Sequence, residues 1–188
     1  MKQKNTNKLV IVINGRGGVG KDTLCASLRT SYSVTNISAI TPIKEIAKTY
    51  GWNGEKDERS RRFLANLKRV FADYNDLPNH YLSQEYRKFI ASDAEILCVH
   101  IREKDQIEKF IAEVTVPCVT ILVKRDTESY TQGYGNDADD GVEYFCYDYE
   151  FDNNASIKES SDAFRSLIKA ILLKNQKNTD SSTEESHA

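Results

Sequence analysis

The sequence predicts an α/β domain of three layers, in which helices cover both faces of a mostly parallel five-stranded sheet. Short runs of β-forming residues alternate with helical patterns along the chain, and this alternation is typical of parallel sheets. The first run, residues 9–13, is continuously apolar, as in a strand buried on both faces. A chain of 188 residues suits one domain. We expect it to span residues 8–174, with disordered polar tails at 1–7 and 175–188.

The elements follow in order along the chain. Strands are predicted at residues 9–13, 34–39, 96–101, 116–123 and about 147–151. Helices are predicted at residues 21–31, 42–50, 56–74, 78–91 and 104–114, with a last helix ending near Leu173. Pro42 suits the first turn of its helix, and Ser156 with Glu159 forms a capping box that opens the last helix. Three successive helices between the second and third strands predict a helical insert that binds the acceptor.

Composition excludes several classes of partner. Lys and Arg number 26 against 28 Asp and Glu, for a net charge of -2, so a polymeric nucleic acid is not expected as a partner. No apolar run approaches the roughly 20 residues that span a bilayer. The four cysteines lie far apart with no C-x-x-C pair, and no apolar leader is present. We therefore expect a cytoplasmic protein with reduced thiols and no membrane partner.

A glycine-rich loop directly follows the first strand and directly precedes a helix. Its residues are Gly15, Arg16, Gly17, Gly18, Val19, Gly20, Lys21, Asp22 and Thr23. They form G-x-x-x-x-G-K, the phosphate-binding loop (P-loop, or Walker A motif), in the strand–loop–helix context that this motif requires. Backbone N–H groups of such a loop surround phosphate oxygens, and the helix N-terminus adds positive charge. The loop therefore predicts binding of ATP, with Lys21 as a catalytic residue that stabilises the transferring phosphoryl group.

The loop departs from the usual pattern at Asp22, where a Ser or Thr hydroxyl normally holds Mg²⁺. A carboxylate is also a hard oxygen ligand, so Asp22 is a candidate ligand of Mg²⁺. The alternative is an acidic residue that only stabilises the start of the helix through the helix dipole. The sequence leaves both interpretations open.

Several segments together resemble phage-type and bacterial deoxynucleoside monophosphate kinases, a family of P-loop kinases. They are Lys21-Asp22-Thr23, residues 41–47, 51–57 and 61–64, His100-Ile101-Arg102 in place of the family's Asp-x-Arg, and residues 136–139 and 147–149. The chain is similar, more distantly, to dephospho-coenzyme A kinase. The resemblance implies ATP and Mg²⁺ as cofactors and a deoxynucleoside monophosphate as acceptor.

A second anion site is needed to hold an acceptor phosphate in line with the donor. One side of the helix at residues 56–74 carries Arg59, Arg62, Asn66 and Arg69, beside an apolar face of Phe63, Leu67 and Val70 that we expect to be buried. We expect Arg59 and Arg62 to bind the acceptor. Arg102, at the carboxyl end of a core strand, is a candidate for both acceptor binding and catalysis. Lys44 would face the same cleft if the family resemblance holds. A solvated helix face and a plain surface lysine are the alternatives.

The segment 126–141 is long enough to be an active-site lid. Arg125, at its start, is a candidate catalytic residue that bridges donor and acceptor phosphates, although Asp137, Asp139 and Asp140 make the segment acidic. A flexible connection is the alternative. His100 stands where P-loop enzymes place a metal-orienting aspartate, so either Asp22 or Glu103 would supply the missing carboxylate.

These features predict a small-molecule kinase that transfers the γ-phosphoryl group of ATP to a nucleoside monophosphate. The expected partners are a nucleoside triphosphate donor and a small phosphorylated acceptor. A dephospho-coenzyme A kinase-like enzyme is an alternative acceptor class. A partition-type ATPase, with Arg16 in place of a signature lysine, and a non-catalytic nucleotide-binding protein are alternatives of another class. Oligomeric state stays open, with a homodimer among the options.

Overall fold

The computed structural model of the chain describes residues 8–55, 57–126 and 142–184, with side chains as far as residue 177. Five strands form one sheet: β1 Leu9–Asn14, β2 Val34–Ser38, β3 Ile96–His100, β4 Cys118–Lys124 and β5 Tyr149–Asp152. The α-helices are α1 Lys21–Ser27, α2 Thr41–Thr49, α3 Glu58–Asn75, α4 Leu77–Ala91, α5 Lys104–Glu113 and α6 Ile157–Glu184. Short 3₁₀ turns lie at Leu28–Thr30 and Val142–Tyr144.

All strand pairs are parallel, in the order β2-β3-β1-β4-β5. β1 lies at the centre, with Ile13 opposite both His100 of β3 and Ile121 of β4. The carboxyl ends of the three central strands therefore meet at one edge. In open parallel sheets this edge is where ligands bind.

Helices cover both faces of the sheet. One buried cluster packs Ile11 and Ile13 of β1 against Leu24 of α1 and Phe164 of α6. The other cluster joins the alternate β1 residues to Leu82 and Phe89 of α4 and to Ile107 and Phe110 of α5. Every residue of β1 is buried, because neighbouring side chains point into opposite layers. The predicted three-layer α/β fold is confirmed.

Helices α2 and α3 form the predicted insert and pack around a third buried cluster of Ile43, Ala47 and Leu64. The face that α3 buries differs from the predicted one, since Phe63 is 46% exposed and Val70 is 58% exposed. Successive helical residues point about 100° apart. Because Leu64 is buried in place of Phe63, the helix is rotated by about one residue relative to the prediction. This rotation changes which side chains of α3 line the site.

The last helix is longer than predicted, because α6 continues past Leu173 to Glu184. The segment after Leu173 contains no glycine or proline that would stop it, and each added residue extends a helix that has already nucleated. The predicted tail 175–188 is therefore helical as far as Glu184. The capping box is confirmed, since Glu159 N–H donates to Ser156 Oγ at 3.3 Å and Ser156 N–H donates to Glu159 Oε2 at 3.2 Å.

Some predictions fall on residues outside the described ranges: the tail 1–7, Lys56, most of the lid segment (127–141) and residues 185–188. Within the described ranges, no helix has the length and apolar character required to cross a membrane. The four cysteines all lie in described segments and are free thiols, two of them, Cys25 and Cys98, buried.

Candidate active site

The glycine loop leaves β1 in a backbone conformation that requires glycine at two positions. Gly15 has φ of 139°, and a Cβ there would come within 2.3 Å of the carbonyl oxygen of Val123. Gly20 has φ of 94°, and a Cβ there would come within 2.4 Å of Asn153 Nδ2. Positive φ and close approach both exclude larger residues. The two ends of the loop are thus fixed against β4 and against the segment after β5.

The loop and the start of α1 present positive groups to one spot. Helix α1 begins at Lys21 with no side chain capping its first turn, so its leading backbone N–H groups are available to an anion. Lys21 Nζ donates to the carbonyl oxygens of Gly15 and, at 2.8 Å, of Arg16. This ammonium group therefore lies at the loop, as the sequence predicts for a lysine that contacts phosphate.

Two buried asparagines form hydrogen bonds with the backbone of the loop. Asn14 Oδ1 accepts from Gly15 N–H at 2.8 Å, and its Nδ2 donates to Tyr147 Oη at 2.6 Å. Asn153 Nδ2 donates to the carbonyl oxygen of Val19 at 2.6 Å. Burial raises the pKa of Tyr147 to about 12, so its phenol stays protonated. Both asparagines were missed from sequence, where the only signal for Asn14 is a polar residue ending an apolar strand.

A cleft of about 490 Å³ runs from this loop across the carboxyl ends of β1 and β3 to helices α2 and α3. The loop side is lined by Asn14, Gly17, Gly18, Gly20, Lys21, Asp22 and Thr23. The cleft is also lined by Ser38, Ala39, Ile40, Lys44, Trp52, Glu55, Arg61, Leu64, Ala65, Lys68, Arg102 and Glu103. One space thus joins the glycine loop to the end of β3 and to helices α2 and α3.

Four cations outside the loop line this cleft: Lys44, Arg61, Lys68 and Arg102. Two of them, Lys44 and Arg102, are residues that the sequence predicts. The expected Arg59 and Arg62 do not line this cleft, and both are exposed. The residues of α3 that reach it are 61, 64, 65 and 68, a single helical face. The face of α3 that reaches the cleft is therefore offset by one position from the predicted face, for the same reason that Phe63 is exposed, and acceptor binding by Arg59 and Arg62 stays a prediction.

Lys68 is the most buried of these cations, with 8% of the residue exposed. Its Nζ donates to Glu103 Oε2 at 2.5 Å. Burial lowers the pKa of Lys68, while the Glu103 carboxylate opposes that shift. Glu103, one of the two carboxylates expected to serve the metal, is thus held by a lysine 35 residues away in sequence. No local pattern predicts such a pair.

The aromatic ring of Trp52 lines the cleft next to helices α2 and α3. Its ring packs beside the cluster of Ile43, Ala47 and Leu64. Its Nε1 is buried and has no hydrogen-bond partner among the described residues. A buried indole N–H usually finds an acceptor, so this one is an unsatisfied donor next to the cleft.

Asp22 lies on the loop side with its side chain 93% exposed, and its Oδ1 is 3.7 Å from His100 Nε2. Among the described residues, no group of three His, Cys, Asp or Glu side chains is placed to hold a metal by itself. Mg²⁺ is commonly held by one or two carboxylates together with substrate phosphates. The exposed Asp22 carboxylate beside the phosphate loop fits that mode, and a Mg²⁺ there would neutralise charge on the transferring phosphoryl group.

The described residues that flank the segment expected to be a lid are held by polar contacts. Asp126 N–H donates to Asn154 Oδ1 at 2.7 Å, and Asn154 Nδ2 donates to Asp126 Oδ2 at 2.8 Å. At the other end, Glu143 pairs with Arg16 of the loop at 3.3 Å. Arg125 is exposed and is not among the cleft-lining residues, so its bridging role stays a prediction.

Comparison with known proteins adds a fold but no family. No family model matches the sequence, and no curated protein matches it. Among solved structures, a candidate kinase from Chloroflexus aurantiacus j-10-fl aligns with a TM-score of 0.56 and 10% identity, over 91% of this chain and 99% of that chain.

Two further structures align less well. A gluconokinase from Sinorhizobium meliloti 1021 gives a TM-score of 0.49 and 11% identity over 90% of this chain and 95% of its own. A shikimate kinase from Aquifex aeolicus vf5 gives 0.43 and 10% over 90% and 98%. The first match shows that this chain shares the α/β fold of that structure. At one-tenth identity the likeness concerns the fold alone.

Proposed function

We propose that this chain is an ATP- and Mg²⁺-dependent phosphotransferase whose acceptor is a nucleoside monophosphate. The observation that supports it most is a group of cations, separate from the glycine loop, that lines the same cleft. The glycine loop with Lys21 would bind the donor phosphates, and Lys44, Arg61 and Arg102 would bind the acceptor phosphate. A switch-type nucleotide-binding protein needs only the first group. A second group of cations is what an enzyme requires to hold a phosphorylated acceptor against the donor.

The aromatic part of the cleft bears on the nature of the acceptor. Trp52 lines the cleft beside the cations Lys44 and Arg61. An aromatic surface suits a planar ring, as in a nucleobase. A cleft of about 490 Å³ lies within the usual range for small-molecule sites. The preference for a deoxyribose rests on the family resemblance.

The reaction follows from this arrangement. An oxygen of the acceptor phosphate attacks the γ-phosphorus of ATP, the bond between that phosphorus and the β–γ bridging oxygen breaks, and ADP leaves. Such transfers are catalysed largely by positioning and by charge stabilisation. Lys21 would stabilise the donor phosphates, and Arg102 with Arg61 would hold the acceptor phosphate in line. The chain's own residues thus account for both roles without a covalent enzyme intermediate.

The test is ADP release by the purified chain with ATP and Mg²⁺, measured against all ribo- and deoxynucleoside monophosphates and dephospho-coenzyme A. We expect at least one nucleoside monophosphate to raise ADP release well above the rate without acceptor. Stimulation by dephospho-coenzyme A alone would show a phosphotransferase whose acceptor is dephospho-coenzyme A and not a nucleoside monophosphate. Tight ATP binding with no stimulation by any acceptor would favour a non-catalytic nucleotide-binding protein.

A further inference from the structure

Helix α3 has two faces with different surroundings. One face, with Arg61 and Lys68, lines the cleft. The opposite side of the helix carries three large apolar side chains that are exposed: Phe63 at 46%, Val70 at 58% and Tyr74 at 83%. Large apolar side chains that are exposed together mark an interaction surface more often than a single one does. The outer face of α3 is therefore a candidate contact surface.

This outer face consists of two neighbouring stripes with the same spacing. The apolar stripe is Phe63, Leu67, Val70 and Tyr74, and the polar stripe is Arg62, Asn66, Arg69 and Asp73. Members of each stripe follow one another at intervals of 4, 3 and 4 residues, which places them along one line of a helix. Leu67 is half-buried, and the other seven are exposed. The same spacing forms the contact line in paired helices.

The charges of the polar stripe complement those of a reversed copy of the same stripe. Arg62 begins the stripe and Asp73 ends it, and its midpoint lies between residues 67 and 68. A second α3 that lies antiparallel about a two-fold axis at this midpoint brings Arg62 beside Asp73 of the second copy. A parallel copy would bring Arg62 beside Arg62. Because opposite charges favour association and like charges oppose it, the stripe fits an antiparallel second copy.

The apolar stripe fits the same axis. Its midpoint lies between residues 68 and 69, about 1.5 Å along the helix from the midpoint of the polar stripe. In the antiparallel arrangement Phe63 lies beside Tyr74 of the second copy, and Val70 lies beside Leu67 of the second copy. A two-fold axis makes each of these contacts twice. Charge and apolar surface thus select one arrangement independently.

The charged side chains of the outer face are available for such contacts. Among the ion pairs formed within the described part of the chain, none involves Arg62, Arg69 or Asp73. All three side chains are exposed. A second copy could therefore pair with them without breaking an ion pair of the monomer.

We propose that the outer face of α3 is a homodimer interface, in which it packs antiparallel against the same face of a second copy of this chain. Phe63, Val70 and Tyr74 supply the apolar contact, and Arg62 pairs with Asp73 of the second copy at both ends. The face of one helix is small beside the roughly 800 Å² per partner of a standard interface, so the dimer dissociates on dilution. This inference concerns association and is independent of the proposed function.

The test is sedimentation equilibrium of the full chain, without nucleotide, over a wide range of protein concentrations. The wild type should change from monomer to dimer as concentration rises and form nothing larger, because a two-fold interface closes on itself. Arg62→Asp places two carboxylates together at both ends, so it should raise the dissociation constant of the dimer by about tenfold or more. Arg87→Asp, at an exposed arginine of α4, is the matched control for charge and should leave that constant unchanged.

The reciprocal exchange gives the sharpest outcome. The double variant Arg62→Asp/Asp73→Arg restores opposite charges at both ends, so it should recover most of the affinity that Arg62→Asp loses. Tyr74→Ser should also weaken the dimer several-fold, because it removes an aromatic contact twice. Tyr74 is 83% exposed in the monomer, so the Tm of dilute Tyr74→Ser should equal that of dilute wild type.

Three results would overturn the inference. The first is a wild-type chain that stays monomeric at every concentration. The second is a double variant that associates no more tightly than Arg62→Asp. The third is a monomer whose Arg62, Arg69 and Tyr74 are needed to bind vesicles of anionic lipid, which would assign this face to a membrane surface instead. ADP release is measured separately, so failure of the dimer leaves the proposed function untouched.

Discussion

At the scale of single residues, some groups of the candidate site are recognised from the sequence, and others only from their contacts in the fold. Lys21 is recognised from sequence because the motif that contains it has a fixed spacing. Lys68 is not, because its role depends on burial and on Glu103 at 2.5 Å, a contact made across the fold. Asn153 is likewise apparent only when its Nδ2 is seen under the loop, 2.6 Å from the carbonyl oxygen of Val19. The residues of the motif can thus be predicted from sequence, whereas the residues that contact them across the fold cannot.

Removal of the Lys21 ammonium group tests the loop assignment. Lys21→Ala should lower kcat by about 100-fold or more, because losing one preorganised donor to transition-state charge has an effect of that order. Steady-state ADP release with saturating ATP and acceptor measures it. Lys48→Ala, an exposed lysine of α2 outside the cleft, should retain wild-type turnover. Near-normal turnover in Lys21→Ala would contradict the proposed role of the loop in catalysis.

At the scale of elements, each helix and strand was largely predictable, but the direction that a helix faces was not. The hydrophobic pattern of α3 is broad, with Phe63, Leu64 and Leu67 all apolar, so sequence alone admits more than one buried face. Packing of Leu64 against α2 selects one of them. That choice turns Arg61 and Lys68 into the cleft and leaves Arg62 outside it.

The orientation of α3 is tested by two neighbouring arginines. Arg61→Ala should lower kcat/KM for the acceptor by about tenfold or more, because a hydrogen bond to a charged group contributes about 1.5–3 kcal/mol. Affinity for ATP should stay unchanged. Arg62→Ala is the matched control on the next position of the same helix and should leave both quantities unchanged. A larger acceptor defect in Arg62→Ala than in Arg61→Ala would contradict the observed face of α3.

The capping box of α6 predicts a pH dependence of stability. Glu159 accepts hydrogen bonds from the side chain and the backbone of Ser156, which lower the pKa of Glu159. Because the folded pKa lies below the unfolded one, this contribution is present above the unfolded value and is lost as pH falls through the folded pKa. The Tm difference between wild type and Glu159→Gln should therefore be largest near neutral pH and shrink below about pH 4.

Thermal unfolding at a series of pH values measures that difference. Ser156→Ala, which removes the capping hydroxyl, should destabilise the protein by about 1 kcal/mol at neutral pH. It should also reduce the pH-dependent difference between Glu159 and Gln, because only the backbone N–H of residue 156 then donates to Glu159. A Tm difference that stays constant down to pH 3 would show that Glu159 acts in some other way.

At the scale of the whole molecule, the fold brings distant segments to one sheet edge. The alternation of strands and helices predicted the layers, and the apolar run of β1 predicted its central place. The order β2-β3-β1-β4-β5 was not predictable, because parallel strands far apart in sequence carry no local signal of their neighbours. That order places the end of β3, with His100 and Arg102, beside the glycine loop. The site is therefore a product of topology as well as of motif.

The proposed function requires that the cleft bring a donor phosphate at the glycine loop and an acceptor phosphate together. Its most direct test follows the labelled γ-phosphate of ATP, with the chain far below substrate concentration, in the presence and absence of a nucleoside monophosphate. Our account predicts that label appears on the acceptor in large excess over protein, with one ADP formed for each acceptor phosphorylated. Label that stays on bound ATP, or that appears only as inorganic phosphate at a rate independent of acceptor, would contradict it.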